Sequence, residues 1–273
     1  MTYQDCDTIA MESLWYEMSR GIPGKRTKER GLSNMLELKN ISWKAEDGAD
    51  ILKDVSFVVP DNKFVVITGP NGGGKTTTAK LIAGLMAPTS GQIIFDGTDI
   101  TKLGATERAK TGIGYAFQQP VRFKGITVRE LIEMAAGKAL NEADICHALT
   151  EVGLCANEYA DREVNASLSG GEIKRIEIAT VLARHTELSV FDEPEAGIDL
   201  WSFTNLIEIF TRHRESRKGS MLVVSHQERL LNIADEIIVI ADGKVTKQGT
   251  REEILPTLFT TGKACKSCPK QGN

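Results

Sequence analysis

The sequence predicts an α/β protein: a mainly parallel sheet covered by helices, antiparallel strand pieces at both ends, and a helical insertion between them. Three observations carry this expectation. Apolar runs at 64–67, 188–191 and 221–224 have the length of buried strands and alternate with stretches of helical spacing. Two Asp-Gly pairs, Asp96-Gly97 and Asp242-Gly243, each close an apolar run, which signals a hairpin because glycine accepts positive φ. The strand-like run at 64–68 passes without a break into a glycine-rich turn and then a helix-forming stretch at 76–86.

Taken in order, residues 1–34 mix acids with a basic knot at Lys25, Arg26, Lys28 and Arg30 and read as an appended arm. From Met35 onward, Leu36, Leu38 and Ile41 alternate loosely with polar partners, and 51–60 is a second strand-like stretch. Thr127-Val128-Arg129-Glu130 fits a capping box, in which two side chains satisfy backbone N–H groups at a helix start. Val128, Leu131, Ile132 and Ala135 keep helical spacing up to Gly137, and Ile145, Ala148, Leu149 and Val152 mark a second helix stopped by Gly153. Residues 120–168 are therefore expected to be all-helical, with Cys146 and Cys155 in core or half-buried positions.

With 273 residues, 41 % hydrophobic and 26 % charged, the chain has ample material for a core, which excludes wholesale disorder and fibrous repeats. Its 33 Lys and Arg against 37 Asp and Glu give a net charge of −4, so no general basic field is available for nucleic acid. Any bound anion must be held locally. The apolar runs at 64–67, 221–224 and 237–241 fall short of the roughly 18 residues of a membrane helix. An acidic start (Asp5, Asp7, Glu12, Glu17) shows no secretory signal, and five scattered cysteines suit a reducing compartment, so a cytoplasmic location is expected.

Such a local anion site is written into Gly69-Pro70-Asn71-Gly72-Gly73-Gly74-Lys75-Thr76, which matches G-x-x-x-x-G-K-[ST] between a strand and a helix. Glycines let successive N–H groups turn inward around a polyphosphate, and the new helix adds its positive end. Lys75 supplies a mobile charge for the β and γ phosphates, and Thr76 a hydroxyl for Mg²⁺. At the end of another apolar run stand Asp192, suited to hold Mg²⁺ through water, and Glu193, placed to polarise an attacking water. Pro194 is expected to keep Glu193 extended.

Leu168-Ser169-Gly170-Gly171-Glu172, upstream of Asp192, resembles the signature sequence of the ATP-binding-cassette (ABC) ATPases, with a helix expected from about Glu172 to Arg184. Taken singly, Ser-Gly-Gly-Glu also fits an ordinary N-cap; the order of motifs carries the resemblance. Ala116-Phe117-Gln118 resembles that family's Q-loop, Val223-Val224-Ser225-His226 its switch histidine, and Ala196-Gly197-Ile198-Asp199 its D-loop. The resemblance covers about 35–250 and implies a P-loop NTPase fold with a RecA-like sheet, an N-terminal antiparallel β-subdomain and a helical subdomain at about 120–180. Residues 1–34 are then an N-terminal extension, 35–260 the ATPase domain and 261–273 a tail.

The resemblance implies a Mg²⁺-dependent ATPase that closes head to tail as a homodimer around two ATP. Gly69, Asn71, Gly72, Gly73, Gly74, Lys75, Thr76 and Thr77 would hold the nucleotide from one chain, and Ser169, Gly170, Gly171, Glu172 and Asp199 would meet it from the other. Thr76, Gln118 and Asp192 would hold Mg²⁺, and Glu193, His226 and Gln118 would serve hydrolysis. An aromatic that many transporter ATPases stack on adenine is replaced by Ala45, and Trp43 is expected to pack under its strand.

Within the family, Arg162-Glu163-Val164-Asn165, Glu172-Ile173-Lys174-Arg175 and the stretch from Ala116 to Val121 with Gly125 resemble the SufC-type ATPases of iron–sulfur cluster assembly. That likeness implies a SufB/SufD-like scaffold protein as partner. Asp192-Glu193-Pro194-Glu195-Ala196-Gly197 departs from that group, and Pro194 is more transporter-like, so the alternative is the nucleotide-binding subunit of a transporter with a transmembrane permease partner. Arg122, Phe123 and Ile126 are candidates for docking a partner helix, Phe123 equally for internal packing. Cys265 and Cys268 close no tetrahedral metal site and read as part of a solvated tail.

Overall fold

In the computed structural model, which describes residues 34–119, 123–165, 167–216 and 219–259, the chain begins with β1 (Asn34–Lys44), β2 (Asp50–Pro60) and β3 (Phe64–Thr68). Then come α1 (Lys75–Ala83), β4 (Ser90–Phe95), β5 (Thr98–Asp99), α2 (Ala105–Thr111) and β6 (Ile113–Ala116). A helical excursion follows: α3 (Val128–Ala136), α4 (Glu142–Glu151), α5 (Ala156–Tyr159) and α6 (Gly170–Ala183). The chain then returns through β7 (Leu188–Asp192), α7 (Leu200–Ser216), β8 (Ser220–Val224), α8 (Glu228–Asn232), β9 (Glu236–Ala241), β10 (Lys244–Thr250) and α9 (Arg251–Phe259). The arm at 1–33, residues 120–122 and the tail with Cys265 and Cys268 lie outside the described residues.

Strands β3, β7 and β8 are buried at every position, as strands covered on both faces must be. They sit inside a sheet of order β10-β9-β3-β8-β7-β6, parallel from β9 to β6 and closed at one edge by antiparallel β10. A second, antiparallel sheet of order β2-β1-β4-β5 lies at the N-terminal side of the fold. The expected α/β class is therefore present. Both Asp-Gly pairs form hairpin turns, with φ of 45° and 74° at Asp96 and Gly97 and 52° and 76° at Asp242 and Gly243.

The loose alternation of β1 has a local cause. Leu38 and Ile41 are three residues apart yet both buried, because Asn40 takes φ 52° and shifts the register. Its amide donates to Ser56 Oγ at 2.8 Å and its side chain to Asp54 at 2.7 Å. Half-buried Trp43 packs against the core from this strand, as expected.

In the helical excursion, Glu130 N donates to Thr127 Oγ1 at 3.2 Å while Thr127 N donates to the Glu130 carboxylate at 2.8 Å, completing the anticipated box. A β-bridge between Thr127 and Glu163 interrupts the expected all-helical stretch. Cys146 and Cys155 are exposed, contrary to expectation. On α4 the inward positions go to Ile145 and Leu149, one turn apart, which rotates Cys146 outward. Phe123 is buried beside Leu131, Val164, Ile173 and Ile176, so it serves internal packing, and Ile126 packs partly buried against the same core. No helix among the described residues is long and apolar enough to cross a membrane.

Buried Arg108 joins several elements. Its guanidinium donates to the carbonyls of Leu81, Ile82, Thr101 and Leu103 at 2.5–3.0 Å, so it adds donors to the C-terminal carbonyls of α1. Burial lowers its pKa to about 10.

Candidate functional site

The loop between β3 and α1 is pressed between two neighbours. A Cβ on Gly69, which has φ 139°, would sit 2.0 Å from the Ile240 carbonyl oxygen, and one on Gly74, φ 100°, would sit 2.4 Å from the Leu52 side chain. Only glycine fits there. The loop thereby opens into the first turn of α1, whose free N–H groups suit a phosphate. Lys75 is 5 % exposed, and its ammonium donates to the carbonyls of Gly69 and Pro70, both at 2.9 Å. Asn71 and Gly72 are exposed on the loop, and Thr77 is half-buried on α1.

Beside this cradle, the carboxyl ends of β6, β7 and β8 bring together residues far apart in sequence. Asp192 is fully buried at the end of β7; Thr76 Oγ1 donates to one of its carboxylate oxygens and the Tyr115 hydroxyl to the other, each at 3.1 Å. Burial raises the Asp192 carboxyl above its ordinary value while the two hydroxyls pull it down. Burial and the neighbouring Asp192 charge push the Tyr115 phenol upward, so it stays a donor. The oxygens of Thr76 and Asp192 are the hard donors that a magnesium ion prefers.

Glu193 does not extend the strand as Pro194 led us to expect: it takes φ 44°. A turn forces this conformation, for Ala196 N donates to the Glu193 carbonyl at 2.9 Å while Glu193 N still donates to Val224 O on β8 at 2.9 Å. The Glu193 side chain meets Gln118, whose amide donates to it at 2.6 Å. His226 is exposed just past β8. Next to it, buried Ser225 donates to the Glu195 carboxylate, whose other oxygen is buried with no partner. Burial raises the Glu195 carboxyl, with Ser225 and His226 opposing and Glu193 adding to the rise.

Ser169 caps α6, so the helix starts at Gly170, two residues earlier than expected. Its hydroxyl accepts from Glu172 N at 3.2 Å, and Ser169 N donates to the Glu172 carboxylate at 2.6 Å. Glu172 also accepts from the Tyr159 hydroxyl, and this bond leads the effects that lower its pKa. Gly171 faces Ser202, where a Cβ would lie 2.7 Å from the hydroxyl, and Gly170 faces the Gly197 carbonyl. Asp199 caps α7: its carboxylate accepts from Trp201 N and Ser202 N at 2.9 and 3.0 Å and from Ser202 Oγ at 2.8 Å, bonds that lower its pKa. The neighbours of Ser169–Gly171 are thus Gly197, Asp199 and Ser202, whereas those of the cradle are Leu52, Ile240 and Asp192.

Sequence reasoning missed Tyr115, Glu195, and the buried pair Lys174 and Glu177. The Lys174 ammonium donates to the Phe117 carbonyl and lies 2.9 Å from Glu177, which accepts from Phe117 N at 2.7 Å. Helix α6 therefore grips the backbone just before Gln118. A signal was present: Lys174 and Glu177 interrupt the apolar row of Ile173, Ile176 and Ala179 at helical spacing.

Residues 52–196 match the model of the ABC transporter family. The chain is 39 % identical over 213 residues to an uncharacterized ABC transporter ATP-binding protein of Methanocaldococcus jannaschii, covering 75 % of this chain and 85 % of that one. It is 34 % identical over 228 residues to the energy-coupling factor transporter ATP-binding protein EcfA1 of Mycoplasma mobile, covering 81 % and 82 % of the two chains. Among solved structures it resembles the ATP-binding cassette MJ0796, a dimer in a post-hydrolysis state bound to ADP and Pi. That likeness has a TM-score of 0.71 at 25 % identity, over 80 % of this chain and 99 % of the other.

Proposed function

The chain belongs to the ABC transporter family of ATP-binding proteins, and we propose that it is the nucleotide-binding subunit of a membrane transporter, hydrolysing ATP in two sites shared by two copies of the chain. One observation carries the shared site. Cradle and signature each have the features of a phosphate-binding half-site, yet their neighbours within the chain differ, so a second copy supplies the complement. The dimeric state of the MJ0796 cassette supports this arrangement.

In each site Gly69, Asn71 and Gly72–Thr77 of one copy take the triphosphate, and Ser169–Gly171 with the positive end of α6 covers it from the other. Asp199 fixes the start of α7 against that signature end. Thr76, Asp192 and Gln118 would hold Mg²⁺, which when bound draws charge from the phosphate oxygens. Glu193 takes a proton from the attacking water as the new O–P bond forms. The bond from the γ phosphorus to the bridging oxygen breaks, and its electron pair leaves on ADP. His226 orients Glu193. Loss of the γ-phosphate contacts then separates the copies, and that opening is the mechanical output.

Transporter names among the relatives support a transmembrane partner. The reading with a SufB/SufD-like scaffold rests on the short strings around Arg162 and Glu172 and has less behind it. Affinity capture of the tagged chain from detergent-solubilised membranes and from the soluble extract of its own cells tests the choice. An integral membrane protein is the expected partner; a scaffold captured without detergent would replace this reading.

A further inference from the structure

Leu200 and Trp201, at the start of α7, are 66 % and 83 % exposed, and they are the large apolar side chains left open among the described residues. We propose that this pair is an apolar contact with a second copy of the chain, made when two copies close on ATP. The proposal rests on the shared-site reading above and adds an apolar contact beside the signature end.

Position argues for that occupant. Trp201 N and Ser202 N are both held by Asp199, and Ser202 presses on Gly171 at the opening of α6. Leu200 and Trp201 are therefore fixed on the helix start that abuts Ser169–Gly171, within reach of a copy that would cover the signature end. Two adjacent large apolar groups on a capped helix start are costly in water, and covering them recovers that cost. A tryptophan of this exposure offers up to about 150–250 Å² to bury, and tryptophan is enriched among the anchors of protein interfaces.

The test uses the full chain carrying Glu193→Gln, which slows hydrolysis, with Trp15→Phe and Trp43→Phe so that Trp201 is the sole indole. Sedimentation velocity and tryptophan emission are read with and without ATP and magnesium. The expected result is an ATP-dependent dimer with Trp201 emission shifted to the blue. Adding Trp201→Ala to Glu193→Gln raises the dimer dissociation constant by about tenfold or more, and Trp201→Phe recovers most of the loss. A dimer of unchanged affinity in Trp201→Ala, or a dimer in which Trp201 emission does not move, overturns the proposal and assigns the pair to another partner. A Glu193→Gln chain that stays monomeric with ATP overturns the shared site itself and the proposal with it.

Discussion

The Gln118 amide donates to the Glu193 carboxylate at 2.6 Å, so Gln118 holds the residue proposed to accept the proton of the attacking water. Lys174 and Glu177 grip the Phe117 backbone from α6, so contacts run from that helix to the residue before Gln118. Glu193 is therefore linked by a chain of contacts to α6, the helix that opens at Ser169–Gly171.

Glu193→Gln removes the proposed proton acceptor and keeps the side chain's size. Turnover is expected to fall by about 10² or more, with ATP binding retained, which single-turnover phosphate release and nucleotide binding on the same preparation will measure. Gln118→Ala, which leaves the base in place but unheld, should cost less. An equal or larger loss in Gln118→Ala would contradict this division of roles.

Tyr115→Phe leaves one oxygen of fully buried Asp192 without its hydroxyl donor. An unsatisfied buried acceptor costs about 1–3 kcal/mol, so the midpoint of urea unfolding should drop accordingly. A midpoint unchanged from the wild type would mean that Tyr115 contributes packing alone.

Stability should depend on pH through Glu195. Burial raises this carboxyl above its ordinary value of 4.5, and Glu193 and His226 face it. Between the ordinary and the raised value the folded chain keeps a proton that the unfolded chain releases. The contribution is thus fully present below the ordinary value and is lost as pH rises through the raised one. Glu195→Gln, which keeps an acceptor for Ser225, should be more stable than the wild type above the ordinary carboxyl value and show a flatter profile as pH rises through the raised one. A constant difference across that range would assign the pH response to another group.

Arg108→Met removes the guanidinium donor from the carbonyls of Leu81, Ile82, Thr101 and Leu103, of which Leu81 keeps its bond from Gly84 N. A loss of about 3 kcal/mol is expected by chemical denaturation, with ATP binding preserved in the folded fraction. A nearly neutral effect would show that water replaces the guanidinium at these carbonyls.

How far the sequence could be read follows from the range of each interaction. Gly69–Thr76, the Thr127–Glu130 box and both Asp-Gly turns were legible because their atoms meet within a few residues. Asp192 was legible as a residue at a strand end. Its partners Thr76 and Tyr115 come from 116 and 77 residues away, and only the sheet order brings Tyr115 alongside it. Ser225 reaches Glu195 across 30 residues for the same reason. The left-handed Glu193 runs against the local preference set by Pro194, because the turn to Ala196 and the bond to Val224 on β8 act together.

The head-to-tail shared site is tested most directly by mixing two inactive variants, Lys75→Ala and Ser169→Arg. In a mixed pair the cradle of the Ser169→Arg chain meets the intact signature of the Lys75→Ala chain, so one complete site forms and ATPase activity returns on mixing. A mixture no more active than the two variants measured apart, although the two chains are shown to associate, would contradict the account.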